Sequence, residues 1–325
     1  MRLPIVLAST IAVGWPIVST AQTTSASIDV PAWLFPLPAQ ATTVTPDSVL
    51  LRRVPGSQAA FTEARLADRF DVADWHPESH PAMPDIVAHG RKSPVFACAY
   101  CHLPDGSGRP ENAMLAGLPV AYIEQEVAYM KSGARHSAWR APYSPSDNMR
   151  QVAYGATAKE VAEAARYFSR LPARQRSRVV ETATIPRAEP ALGVYVPARR
   201  GGVEPLGQRL IEMPADPLRH ELRDPLVGYV AYVPPGSIAR GRVIATEGSL
   251  DTPPCVSCHG PGLGGVAPEA PPLAGRFPSY VLRQLIAFRT GARSTPASTP
   301  MGLVAATLTL NDMIAAAAYA GSLSP

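Results

Sequence analysis

The pentapeptide Cys98-Ala-Tyr-Cys101-His102 recurs as Cys255-Val-Ser-Cys258-His259, and the two copies of C-x-x-C-H use all four cysteines of the 325-residue chain. Two thiols three positions apart can add to the two vinyl groups along one haem edge, which leaves the next residue's imidazole beneath the iron. The pattern predicts two covalently attached haems c, tethered by Cys98 and Cys101 in one copy and Cys255 and Cys258 in the other. His102 and His259 are then the proximal iron ligands. Two other readings use the same thiols: a redox disulfide in each copy, or one zinc ion held by four converging thiolates. Neither requires a histidine directly after the second cysteine, and that histidine is present both times.

Met1 to Ala21 reads as a secretory signal, with Arg2 as the positive start, an apolar run from Leu3 to Val18 and small residues Ser19-Thr20-Ala21 for cleavage. A membrane anchor is the competing reading, but the run is short and broken by Pro4, Gly14 and Pro16. Export of a C-x-x-C-H chain points to the bacterial periplasm, with cleavage near Ala21 and no transmembrane segment in the mature chain. The formal charge is only +4, with 30 basic residues dispersed among 26 acidic ones. No basic stripe suited to nucleic acid results.

The duplication extends well beyond the pentapeptide. Ala88-His89-Gly90-Arg91 matches Ala239-Arg240-Gly241-Arg242 ahead of each motif. Behind it, Leu115-Ala116-Gly117 matches Leu273-Ala274-Gly275, Tyr122 matches Tyr280, and Lys131-Ser132-Gly133-Ala134-Arg135 matches Arg289-Thr290-Gly291-Ala292-Arg293, all at an offset of 158. Each half reads as a short helix, the cysteine motif, a Gly/Pro loop, a middle helix, a second loop and a final helix. Helical spacing of apolar residues marks Tyr122 to Lys131 and Tyr280 to Arg289, with Gly133 and Gly291 at the expected ends. The final helices are expected over Ala158 to Leu171 and Leu310 to Leu323, with Asn311 as a candidate N-cap of the second. The domain reading is 1–21 signal, 22–83 proline-rich N-terminal extension, 84–171 first domain, 172–235 irregular inter-domain segment and 236–325 second domain. Extension and insert are both expected to wrap the cofactor domains, with Trp33 and Trp75 as anchors against the first and Tyr229 to Val233 as a short strand or packing strip.

Thioether sulfur opposite the histidine favours ferrous iron, and the repeat nominates the pair. Met149-Arg-Gln-Val152-Ala153 aligns with Met301-Gly-Leu-Val304-Ala305, each just before a final helix. Met130 falls opposite Phe288 and Met114 opposite Pro272, so neither is a methionine in both halves. The expected metal ligands are therefore His102 with Met149 and His259 with Met301. Pro110 and Pro268 are candidates to offer a carbonyl to the histidine's other ring nitrogen. Arg135 and Arg293 are candidates to pair with haem propionates, with a solvated loop position equally open.

With these residues in view, the chain resembles the tandem dihaem class I cytochromes c, in which two small helical haem domains face each other. The resemblance covers about residues 84–171 and 236–325 and rests on C-x-x-C-H, the Leu-Ala-Gly loop, the Lys/Arg-x-Gly-Ala-Arg turn and the methionine before the last helix. It implies a mainly α fold and electron transfer without catalysis. The implied partners are a donor dehydrogenase or cytochrome and an acceptor cytochrome or terminal oxidase. Other readings are an electron-accepting subunit of a periplasmic dehydrogenase and a dihaem peroxidase. The matched Met149 and Met301 argue against the peroxidase, which needs an iron that can open to peroxide.

Overall fold

The computed structural model describes residues 30–37, 45–92, 94–139, 145–191, 193–249, 251–268 and 270–325, so the expected signal over 1–21 lies outside the described residues. The two repeats fold as parallel sets of helices. The first has Asp85–Ala88, the motif helix Cys98–His102, the middle helix Val120–Ser132, Pro145–Gly155 and the final helix Ala158–Ser169. The second has Ser237–Thr246, Val256–His259, Pro278–Arg289, Thr299–Thr307 and Leu310–Ser322. Local chemistry sets the ends. Thr157 and Glu160 close a capping box on one final helix, and Thr309 with Asp312 closes one on the other, so Thr309 takes the cap position expected of Asn311. Gly133 ends its middle helix in the left-handed region at φ 82°.

The opening helices of the two halves differ although their sequences match. In the second half, Ser237–Thr246 crosses Leu310–Ser322 so closely that a Cβ on Gly241 would collide with the carbonyl of Ala315. In the first half, the matching Gly90 adopts φ 62° and ends a helix of one turn. Chain from the N-terminal extension then fills the space, with the carbonyl of Arg69 accepting from the amide of Ala97 at 2.9 Å.

The inter-domain segment is a correction to the expected irregular coil. Tyr229–Val233 is the central strand of a three-stranded sheet, parallel to Ser177–Glu181 and antiparallel to Ile211–Pro214. Two short antiparallel ribbons join Thr184–Pro186 to Val203–Pro205 and Ala188–Ala191 to Val194–Pro197. Alternation in Tyr-Val-Ala-Tyr-Val puts Tyr229, Ala231 and Val233 fully inward. The tryptophans also sit differently from expectation. Trp75 packs with Val54, Leu66 and Leu222, and its indole N–H donates to the carbonyl of Leu222 at 2.7 Å, which ties the extension to the insert. Trp33 packs against the second half's core and the insert's own cluster.

The two halves meet through the sequence-matched Lys/Arg-x-Gly-Ala-Arg turns. Arg135 and Arg293 form an antiparallel bridge, flanked by the amide of His136 on the carbonyl of Ala292 at 2.9 Å and that of Ser294 on Ala134 at 3.1 Å. Both guanidiniums are buried, so the solvated reading fails, and both reach the carboxylate of Glu126. Each also crosses to the other half's tyrosine: Arg135 donates to Tyr280 at 3.0 Å and Arg293 to Tyr122 at 2.9 Å. The register partner of Glu126 is Gln284, which accepts from Arg135 at 3.0 Å and from Arg293 at 3.2 Å. One carboxylate therefore serves two buried cations.

Two outcomes follow in thermal and denaturant unfolding. Gly241→Ala is expected to cost about 1–3 kcal/mol, because the new methyl meets backbone that the final helix cannot move cheaply. Glu126→Ala, which leaves two buried guanidiniums without their carboxylate, is expected to cost about 3–5 kcal/mol, more than Gln284→Ala at the matching position.

Candidate cofactor site

Each half encloses one apolar cavity. The first lies against Cys98, Cys101, His102 and Met149, and the second against His259 and Met301. With their open mouths they hold about 1370 and 900 Å³ of empty space. His102 and His259 are buried, and burial pushes both imidazoles below the ordinary value, towards the neutral form that binds metal.

The Nδ1 of His102 lies 2.8 Å from the carbonyl of Ala113, and that of His259 lies 2.9 Å from the carbonyl of Pro271. Such a bond fixes the proton on Nδ1 and leaves Nε2 as the ligating atom. The carbonyls are thus three residues beyond Pro110 and Pro268, the positions expected from sequence. The loop turns first, with Arg109 and Asn112 exchanging backbone bonds in one half and Val266 and Ala270 in the other, and this brings the later carbonyl under the ring. Ala113 and Pro271 share the 158-residue offset, so the repeat held the signal, but nothing local distinguished them from Pro110 and Pro268.

Met149 sits on Pro145–Gly155 and Met301 on Thr299–Thr307, each helix preceding the final one. Each cavity wall includes one further methionine, Met130 in the first and Met114 in the second. Met114 comes from the first half, and this exchange is general. Tyr280, Arg283, Gln284 and Ala287 of the second half wall the first cavity, while Leu118, Tyr122, Gln125 and Glu126 of the first half wall the second. Arg135 borders the first cavity and Arg293 the second. Sequence reasoning noted the two tyrosines as aligned residues and missed their role as walls for the opposite half.

The four thiols are unpaired, and they do not converge: Cys98 packs on the first core and Cys255 on the second. Among the described residues no three His, Cys, Asp or Glu side chains are placed to hold a metal ion, which removes the shared zinc site. Burial raises the Cys98 thiol to about 12 and shifts Cys101 and Cys255 in the same direction, opposite to what a reactive redox thiolate needs. A thioether sulfur carries no charge and suits such a wall. An apolar cavity, a neutral histidine with its Nδ1 held, a methionine in the cavity wall and a cysteine pair beside the histidine are a donor set that fits haem c. Among the described residues no single helix is long and apolar enough to cross a membrane.

No family model matches the chain. It is 27% identical over 239 residues to a thiosulfate dehydrogenase electron acceptor of Stutzerimonas stutzeri, covering 72% of this chain and 82% of the relative. A protein of the same description from Thiomonas intermedia is 28% identical over 210 residues, covering 64% of this chain and 68% of the relative. A cytochrome c4 of Pseudomonas aeruginosa is 33% identical over 94 residues, 28% of this chain and 47% of the relative. The duplicated helical halves and their paired cavities accord with these similarities to electron acceptors of thiosulfate dehydrogenase and to a cytochrome c4.

Proposed function

We propose that this chain carries electrons between redox proteins of the bacterial periplasm through two covalently attached haems c, ligated by His102 with Met149 and by His259 with Met301. The observation that carries the reading is the matched pair of apolar cavities, each with a carbonyl-held histidine and a methionine on the helix before the final one. When bound, haem supplies a one-electron couple. The carbonyls of Ala113 and Pro271 hold the proton on Nδ1 and make each imidazole a stronger ligand. Thioether ligands favour the ferrous state, and the apolar walls keep water from the metal. His102 with Met149 and His259 with Met301 would hold each haem through two protein ligands, so that it could take up and give back an electron without ligand exchange, which suits a carrier rather than a peroxidase. Export rests on the composition of Met1 to Ala21.

A narrower role has support in the relatives that are described as electron acceptors of thiosulfate dehydrogenase. On that reading this chain takes electrons from a periplasmic dehydrogenase, as a bound subunit or a mobile acceptor. Co-purification of a dehydrogenase from native extract identifies the bound form, and its absence at all salt concentrations identifies the mobile one.

Ligation is checked by visible spectra and potentiometric titration of Met149→Ala and Met301→Ala. Each substitution is expected to remove the methionine-ligated spectrum from one haem and lower that haem's reduction potential, leaving the other unchanged. A retained methionine spectrum would move the assignment to Met130 in the first cavity or Met114 in the second.

A further inference from the structure

The two cysteine motifs are matched in sequence and differ in exposure. In the first half, none of the described residues from 94 to 116 is exposed. In the second half, Ser257, Cys258, Pro261, Gly262 and Val266 all lie exposed around the motif and its following loop. The extension and the insert, which have no counterpart in the second half, make the difference. Arg223, held at φ 59°, stacks its guanidinium 3.8 Å from the ring centroid of Tyr100, inside the first motif, and donates to that residue's carbonyl at 2.7 Å. The turn that carries it is pinned by Trp75 on the carbonyl of Leu222 and by His76 on Asp224 at 3.2 Å. Arg176 clamps Asp105 at 2.9 Å, and His220 packs on the buried Arg109 of the same loop. From the other side, Arg69 lies over Phe96. The position of Tyr100 in the second motif is Ser257, exposed and uncovered.

We propose that the extension and insert seal the thioether edge of the first haem, so that electrons enter and leave this chain through the second haem's edge at Cys258. The inference rests on the two-haem reading above. Electron transfer falls steeply with the gap between cofactor edges, and the side chains stacked on Phe96, Tyr100 and the 105–109 loop hold a partner away from the first. Among the described residues the loop around the open port is also poor in charge. The exposed residues described from 256 to 268 carry no ionised side chain, and residues 294–311, which bear Met301 and the exposed Leu303, contain no Asp, Glu, Lys, Arg or His. The fitting partner is a redox protein with an apolar, charge-poor rim around its own cofactor, docking through a small transient interface. With haem bound, one electron would leave the partner's reduced centre, which is oxidised, and reduce the haem held by His259; passage on to the haem held by His102 would return the second to its oxidised state, with Tyr122, Tyr280, Glu126, Arg135 and Arg293 lying between the two cavities. No proton or further reactant is needed.

The test uses the loaded, full-length protein and a laser-generated neutral lumiflavin radical as reductant. Mass spectrometry first counts the attached haems. A chain with fewer than two overturns the two-haem reading and this proposal with it, whereas the kinetic outcomes below bear on the port alone. Ser257→Trp, a surface change that covers the second edge, is expected to lower the second-order reduction constant several-fold, beyond the halving that loss of one of two equal ports would give. Arg223→Gly, which suits the left-handed backbone there, is expected to raise the constant and to restore rate in the Ser257→Trp background. Backbone hydrogen exchange supplies a readout independent of electron transfer: amides of 97–113 are expected to be protected and those of 256–268 to exchange faster. Reduction by cationic hexaammineruthenium(II) should change little with ionic strength. A Ser257→Trp protein that keeps half or more of its rate, equal exchange in the two loops, or a steep salt dependence would overturn the proposal.

Discussion

The carboxylate of Glu126, shared between the buried guanidiniums of Arg135 and Arg293, is the contact on which the rest of the arrangement depends. It joins two turns that the duplication made alike, and the antiparallel bridge between them fixes the two halves about a local two-fold relation. Because the halves are held this way, each middle helix walls the other half's cavity. Neither cavity is complete within one repeat. Duplication alone would leave Glu or Gln at both 126 and 284. Two amides there would leave both cations without a counter-charge. One of each leaves the cluster with a single surplus positive charge at the boundary of both cavities.

The second organising fact is asymmetry. The same Ala-x-Gly-Arg segment ends a one-turn helix in the first half and crosses the final helix in the second. Where the opening helix is short, the N-terminal extension and the insert supply the missing cover. Their own sheet is centred on Tyr229–Val233 and pinned to the extension through Trp75. A pair of chemically similar cofactor sites thereby acquires two different relations to solvent.

Much of the fold was legible from pattern. The middle and final helices follow from apolar spacing and from Gly133 as a helix end, and the motif positions follow from the thiols and imidazoles themselves. The insert looks irregular in sequence because its strands are short, proline-interrupted and separated by turns. Only the pairing of Ser177–Glu181 with Tyr229–Val233, fifty residues apart in sequence, makes them a sheet. In the same way Trp75 gave no local sign that it would seat on Leu222, and Pro110 and Pro268 looked as suitable as Ala113 and Pro271 for holding a histidine.

The sequence by itself determined that there are two repeats, where each cysteine motif and its histidine fall, and which methionines share a register. These are contiguous or periodic features, set by covalent spacing and helical geometry. Tertiary structure alone decided which carbonyl meets each imidazole, which half walls which cavity, and that Ser257 and Cys258 are exposed where Tyr100 and Cys101 are only partly so. Those outcomes depend on contacts between segments far apart in the chain, such as Arg223 on Tyr100 and Glu126 on Arg293, whose energies exist only once the chain has closed on itself.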